Sequence, residues 1–173
     1  MRLNNSRYLL GIIITIVLIV NQSCVKINYS FSGANISGET ISIDYFQNKA
    51  PIVQASLSQT LTEAMRDKFT RQSKLELIGS KDADLHLEGE ITGYSVQPVA
   101  IQSTETAAKS RLTIVINVRF TNKTKTQDNF EQSFTAFYDF DATETLSQVE
   151  TSLIDEIVKR LVEDVFNKAV VNW

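Results

Sequence analysis

One stretch limits the architecture of this chain more than any other. Arg111 to Phe120, "RLTIVINVRF", alternates with a period of two. Leu112, Ile114, Ile116, Val118 and Phe120 fall on one side, and Thr113, Val115, Asn117 and Arg119 on the other. Successive side chains of a strand point to opposite faces, so this run has one dry face and one wetter face. After a polar turn, "TNKTKTQDN", the alternation returns in "NFEQSFTAFYDF" with Phe130, Phe134, Ala136, Tyr138 and Phe140. The pair reads as an antiparallel hairpin whose apolar side needs a cover.

Two helices supply it. "SLSQTLTEAMRDKFTRQ" places Leu57, Leu61, Met65 and Phe69 four apart, with Ala64 beside them. That is one apolar stripe, on a helix running from about residue 56 to 72. Ser56 and Gln59 have the spacing of a capping box. The second helix carries Val149, Leu153, Ile157, Leu161, Val165 and Ala169, widened by Ile154, Val158, Val162 and Phe166. Ser147 and Glu150 give it a second capping-box pattern.

Two further strands precede the hairpin. "ETISIDYFQN" puts Ile41, Ile43 and Tyr45 on one face. "DLHLEGEITGYSV" puts Leu85, Leu87, Gly89, Ile91 and Gly93 on one face, and His86, Glu88, Glu90, Thr92 and Tyr94 on the other. Glycines inside a strand predict a bend or the close approach of a packed helix, and Pro98 ends this strand or marks an edge. "LELIGSKDAD" reads as short strand or turn. The order is β-α-β-β-β-α. It predicts an α+β fold: a two-layer sandwich with a mostly antiparallel four-stranded sheet and two amphipathic helices on one face.

The first 24 residues are different in kind. Arg2 and Arg7 precede an uncharged apolar run from Leu9 to Val20, followed by Asn21, Gln22, Ser23 and the chain's single cysteine, Cys24. As a helix the run spans about 18 Å at roughly 1.5 Å per residue, short of the roughly 20 residues a membrane span needs. It suits the apolar region of a secretory signal. A signal that stops on a cysteine is the pattern of a bacterial lipoprotein, with cleavage leaving an acylated Cys24. Ser23 is small, as such sites require; Asn21 stands where Leu is usual. An uncleaved single-pass anchor, or a plain signal with an incidental cysteine, is the alternative. Acyl chains contribute about 0.8 kcal/mol per buried methylene, so two or three anchor a protein firmly. The expected organisation is a signal peptide over 1–23, a lipidated tether over 24–38 and one α+β domain over 39–173.

Charge and residue counts narrow the chemistry. From Cys24 onward there are 15 Lys and Arg against 20 Asp and Glu. An acidic body lacks the cationic footprint that nucleic acid requires. One cysteine makes no internal disulfide. With one histidine and one cysteine, a zinc site of the usual kind is not expected. Gly-x-Ser-x-Gly elbows and phosphate-binding glycine loops do not occur. His86 reads as an ordinary exposed or hydrogen-bonded residue on the face away from the core. Glu88 and Glu90 are neighbours on one strand face, and paired carboxylates do acid–base work on sugars. A small sandwich supplies no evident deep cleft for it, so the pair reads as part of a solvated face. No enzyme activity and no cofactor are implied. Lys109, Arg111, Arg119, Lys123 and Lys125 cluster on the hairpin and its ends. Such cations suit phosphate groups; equally they suit the protection of an edge strand or a wet turn.

The phrases "YSFSG", "DYFQNKAPIVQASLSQTLTEAMRDKF", "GEITGYSVQPVAIQ", "LTIVINVRFTN", "NFEQSF" and "NKAVVNW" together resemble the lipopolysaccharide-assembly lipoprotein family, LptE. The resemblance covers nearly all of Cys24 to Trp173. It implies an outer-membrane lipoprotein, lipid-anchored and facing the periplasm, that sits as a plug inside the barrel of the large partner LptD. The pair inserts lipopolysaccharide into the outer leaflet, and the small subunit supports barrel assembly and binds lipopolysaccharide. The cations named above are the candidate lipopolysaccharide contacts, on their chemistry rather than on a family motif. The alternative is a generic periplasm-facing lipoprotein that binds another envelope partner.

Overall fold

The alternation around Ile116 folds as a strand paired on both sides. In the computed structural model, which describes residues 37–80, 82–99 and 108–171, β5 (Lys109–Asn122) lies between β4 (Leu85–Val99) and β6 (Phe130–Asp141), antiparallel to both. Its apolar residues Leu112, Ile114, Ile116 and Val118 are wholly buried. The sheet continues beyond β4 through β1 (Thr40–Ile43) to β3 (Glu76–Leu77), in the order β3-β1-β4-β5-β6. A two-residue strand, β2 (Gln47–Asn48), also pairs with β4.

This is a six-stranded mixed sheet, not the four-stranded, mostly antiparallel one expected from the alternation. β1 runs parallel to both β3 and β4, and β2 runs parallel to β4. The reason is the first helix, α1 (Leu57–Gln72), which lies between β1 and β4. A strand followed by a helical crossover returns in its original direction, whereas a short turn reverses it. The linker "LELIGSKDAD" contributes β3, held by its register of Thr40 with Glu76 and Ile41 with Leu77.

Both helices sink their stripes into one core. α1 buries Leu57, Leu61, Met65 and Phe69 completely. α2 (Leu146–Phe166) buries Leu153, Ile154, Ile157, Val158, Leu161, Val162, Val165 and Phe166, and continues as a π-helical turn over Asn167–Val171. Phe69 meets Phe166 edge to face at 5.1 Å between ring centroids. The caps differ from the sequence pattern. At α1 the Gln54 side-chain oxygen accepts from Ser56 N at 2.8 Å and Leu57 N at 2.9 Å, so Ser56 and Gln59 form no box. At α2 the capping box is Thr145 with Gln148, whose Oε1 accepts from Thr145 N at 3.1 Å. Glu150 is thereby left for another partner, described below.

Two strand faces depart from simple alternation. β1 ends at Ile43, and Tyr45 turns to solvent while Phe46 enters the core. Asp44 N donates to Leu87 O at 2.9 Å, and Phe46 N donates to the buried Thr62 Oγ1 at 3.1 Å. A Cβ on Gly89 would stand 2.5 Å from the Phe46 ring and 2.5 Å from Asn117 O. Gly89 is therefore required for close approach, of an aromatic ring rather than of a helix. In β4 the register shifts between Ile91 and Gly93. The extra residue is a β-bulge, which reverses the alternation. Tyr94 accordingly faces the core and is buried, opposite to its expected side. Pro98 pairs with Ser110 past the reach of β1 and β2, on an edge of the sheet, where a missing N–H costs no ladder bond.

The expected signal segment and almost all of the tether, with Cys24, lie outside the described residues. Ser37, near the end of that tether, already joins the domain: its carbonyl accepts from Thr124 Oγ1 at 2.6 Å.

Candidate functional site

The helices cover one face of the central strands and leave the other open. The open face carries Arg111, Thr113, Val115, Asn117 and Arg119 of β5 between the matching residues of β4 and β6. Cross-strand register decides which charges meet. Arg111 stands opposite Asp139 and makes a two-point bond with it, Nε to Oδ1 at 2.6 Å and Nη2 to Oδ2 at 2.9 Å. Its guanidinium also lies 3.7 Å from the centroid of the Phe137 ring. This bonding holds the Asp139 carboxyl below the usual range and raises the Arg111 pKa. Lys109 stands opposite Asp141, and its charge adds to the lowering of both Asp139 and Asp141. For Asp141 the larger causes are the Thr143 hydroxyl and backbone N–H.

Arg119 bridges three strands. Its Nε donates to Glu131 Oε2 on β6 at 3.0 Å, and its Nη1 donates to Glu88 Oε1 on β4 at 3.0 Å. At the far end of β5, Lys125 pairs with Asp128 at 2.9 Å across a short 3-10 turn, Thr126–Asp128. Asn122 knits this turn by accepting from Thr124 N and Lys125 N, each at 2.9 Å. Lys123 N donates to Asp84 O at 2.9 Å. Asp84 itself accepts from Glu39 N at 2.8 Å and from Thr40 N at 3.1 Å, which holds its carboxyl low.

The five cations do not converge. Lys109 and Lys123 lie at opposite ends of β5, about 46 Å apart at roughly 3.3 Å per residue. The cluster is three sites: Lys109 with Arg111, Arg119 alone, and Lys123 with Lys125. Sequence spacing along one strand looked like clustering, but a strand is extended and separates what a helix would bring together.

The structure does converge other residues. Ser42 is in parallel register with His86, and its Oγ lies 2.6 Å from His86 Nδ1. His86 Nε2 faces Asp44 Oδ2 at 3.5 Å and Glu88 Oε2 at 3.8 Å. Sequence reasoning singled out His86 and Glu88 but missed Ser42 and Asp44. The signal that would have found them is the parallel pairing of β1 with β4. Serine beside histidine invites comparison with a nucleophile and its base. Ser42 is 4% exposed, however, so a substrate has no approach to its hydroxyl. Glu90, the neighbour of Glu88, pairs with Lys49 at 2.6 Å. The two glutamates are thus held by separate cations, Lys49 and Arg119, in a depression open to solvent.

The described residues thus form a two-layer α+β sandwich with a polar, ion-paired sheet face. Residues 38–169 match the profile of LptE, lipopolysaccharide-assembly, and the chain belongs to that family. It is a family of non-enzymatic assembly lipoproteins. No curated protein matches the chain in sequence. Protein XCC0632 from Xanthomonas campestris is similar in fold, with a TM-score of 0.55 at 9% identity over 80% of this chain and 86% of that one. A minor lipoprotein from Acinetobacter baumannii aligns over 79% of this chain and 96% of its own length, with 12% identity and a TM-score of 0.48. Among the described residues no helix is long and apolar enough to cross a membrane.

Proposed function

We propose that this protein is an outer-membrane lipoprotein, anchored through an acylated Cys24 and facing the periplasm. There it plugs an LptD-like β-barrel, helps that barrel assemble and aids lipopolysaccharide insertion into the outer leaflet. It does so by binding, without covalent chemistry. The observation that carries this reading is the family match over residues 38–169. The polar sheet face supports it, because the interior of a transmembrane barrel is itself polar and accepts a plug of that character. Residues 1–23 serve as the signal peptide and 24–38 as the lipidated tether to the domain.

Lys109, Arg111, Arg119, Lys123 and Lys125 remain the lipopolysaccharide-contact candidates. Their spacing makes the two ends of β5 separate contact points, and Lys123 with Lys125 is the pair to test first. Lys123→Glu with Lys125→Glu weakens lipopolysaccharide binding to the purified protein if that end makes contact. Unchanged binding removes that end from the contact surface.

The whole reading is tested by copurification. The tagged full-length chain brings down a large outer-membrane barrel, and depletion of the protein lowers surface lipopolysaccharide. A stable monomer without a barrel partner, and undiminished surface lipopolysaccharide on depletion, replace the reading with that of an envelope lipoprotein serving another partner.

A further inference from the structure

We propose that Asp44, His86 and Glu88 form a binding site for a divalent transition-metal ion, zinc foremost. The site is independent of the function proposed above and stands on four observations.

The first is distance. His86 Nε2 lies 3.5 Å from Asp44 Oδ2 and 3.8 Å from Glu88 Oε2. Both exceed the 2.7–3.2 Å or so of an N–H···O hydrogen bond. Zinc binds histidine nitrogen and carboxylate oxygen at about 2.0–2.2 Å, so neighbouring ligand atoms of a tetrahedral site stand about 3.4 Å apart. The three ligand atoms all lie within 4.8 Å of one another. They are spaced for an ion between them rather than for direct contact.

The second is support behind the ligands. Metal-bound histidine usually engages a partner through its other ring nitrogen, which fixes ring orientation and tautomer. Here the buried Ser42 Oγ sits 2.6 Å from Nδ1, which directs Nε2 at the carboxylates. Arg119 holds the other oxygen of Glu88 at 3.0 Å and leaves Oε2 turned toward His86. Asp44 is tied to β4 through its backbone bond to Leu87.

The third is charge. The depression at this end of the open face is lined by Asp44, Glu88, Glu90 and Glu131 against Lys49 and Arg119. That acidic excess attracts a cation and disfavours an anionic ligand. The fourth is access: Asp44 and Glu88 side chains are 44% and 38% exposed, so an ion enters from solvent and water completes its shell. An imidazole nitrogen with two carboxylates favours zinc and its neighbours over magnesium or calcium, which prefer all-oxygen sites.

His86 is the single histidine of the chain, so its ring signals identify themselves. The experiment is a titration of zinc chloride into the metal-stripped full-length chain in detergent, followed by nitrogen-15 NMR of the imidazole and by calorimetry. The expected result is saturable binding of one zinc per chain, with Nε2 moving to the position of a metal-bound nitrogen. His86→Gln abolishes that binding. Ser42→Ala weakens it by about 10–100-fold, the range for loss of a supporting partner. Glu163→Gln, on the far side of α2, leaves it unchanged. An imidazole signal that stays put at saturating zinc overturns the proposal. So does a His86→Gln variant, folded by circular dichroism, that binds zinc as the native chain does.

Discussion

The two faces of β5 alternate residue by residue along one strand and obey different rules. On the covered face, Leu112, Ile114, Ile116 and Val118 have no exposure and belong to one core with the apolar stripes of both helices. On the open face, Arg111 and Arg119 reach across to acids on the neighbouring strands. Burial of apolar area stabilises in proportion to what is removed from water, roughly 25 cal/mol per Å². Exposed ion pairs exchange one set of favourable contacts for another and contribute little. The covered face therefore holds the fold, and the open face is free to be specified by what it meets.

Truncating the covered face should have the largest effect. Ile116→Ala removes three buried carbons at the centre of the sheet, where the surroundings relax only partly. The expected loss is about 2–5 kcal/mol, or about 4–20 °C in Tm for a domain of this size at roughly 2–4 °C per kcal/mol. Thermal melts followed by circular dichroism measure it. A loss below 1 kcal/mol or so would mean that the covered face is not the close-packed core described here.

The same contrast sets what was legible in the sequence. The covered face needed only periodicity, so α1, α2, β5 and β6 could be placed from their stripes, with α1 starting within one residue of expectation. Everything that depended on register was harder. The bulge at Thr92 leaves no mark in the alternation, and it is what carries Tyr94 into the core. Ser42 and Asp44 stand 44 positions from His86 and Glu88, brought together by parallel pairing after a helical crossover. The crossover itself was readable, because α1 separates β1 from β4, but strand direction was inferred from the hairpin and extended too far. The five cations were read as one cluster for a related reason: proximity in sequence is not proximity along an extended strand. Of the candidate site, the residue types were legible and their partners were not.

Tyr94 tests the boundary between the two faces. Its ring is buried, yet its hydroxyl donates to Glu150 Oε1 at 2.5 Å, at the start of α2. Tyr94→Phe keeps the ring and removes this bond, and should cost about 1.5 kcal/mol, the lower end for a bond to a charged acceptor. The pH dependence gives a second reading. Burial first, then the bond to Glu150 and its charge, push the phenol pKa up from its usual 10. A raised pKa stabilises the fold fully below the unfolded value. That stabilisation is lost as pH rises past about 10, where the unfolded chain begins to ionise and the native phenol does not follow. Native protein should therefore lose stability more steeply than Tyr94→Phe between pH 9 and 11 in urea titrations. Equal slopes would place the hydroxyl in water and move Tyr94 to the open face.

The smallest effect belongs to Arg119, although it pairs with acids on both neighbouring strands. Its side chain is 56% exposed, and Glu131 and Glu88 are 52% and 38% exposed. Arg119 lowers the Glu131 pKa, a contribution present above the unfolded carboxylate value and lost as pH falls through the folded one. Water and salt screen it throughout, with a Debye length of about 8 Å at physiological ionic strength. Arg119→Gln should shift the unfolding midpoint less than Tyr94→Phe does at pH 7. That shift should shrink further as pH falls through the lowered folded pKa of Glu131, and in 1 M salt. A shift approaching that of Ile116→Ala would break the comparison. It would mean that Arg119 holds the three strands in register, and that the open face, not only the covered one, carries the stability of the sheet.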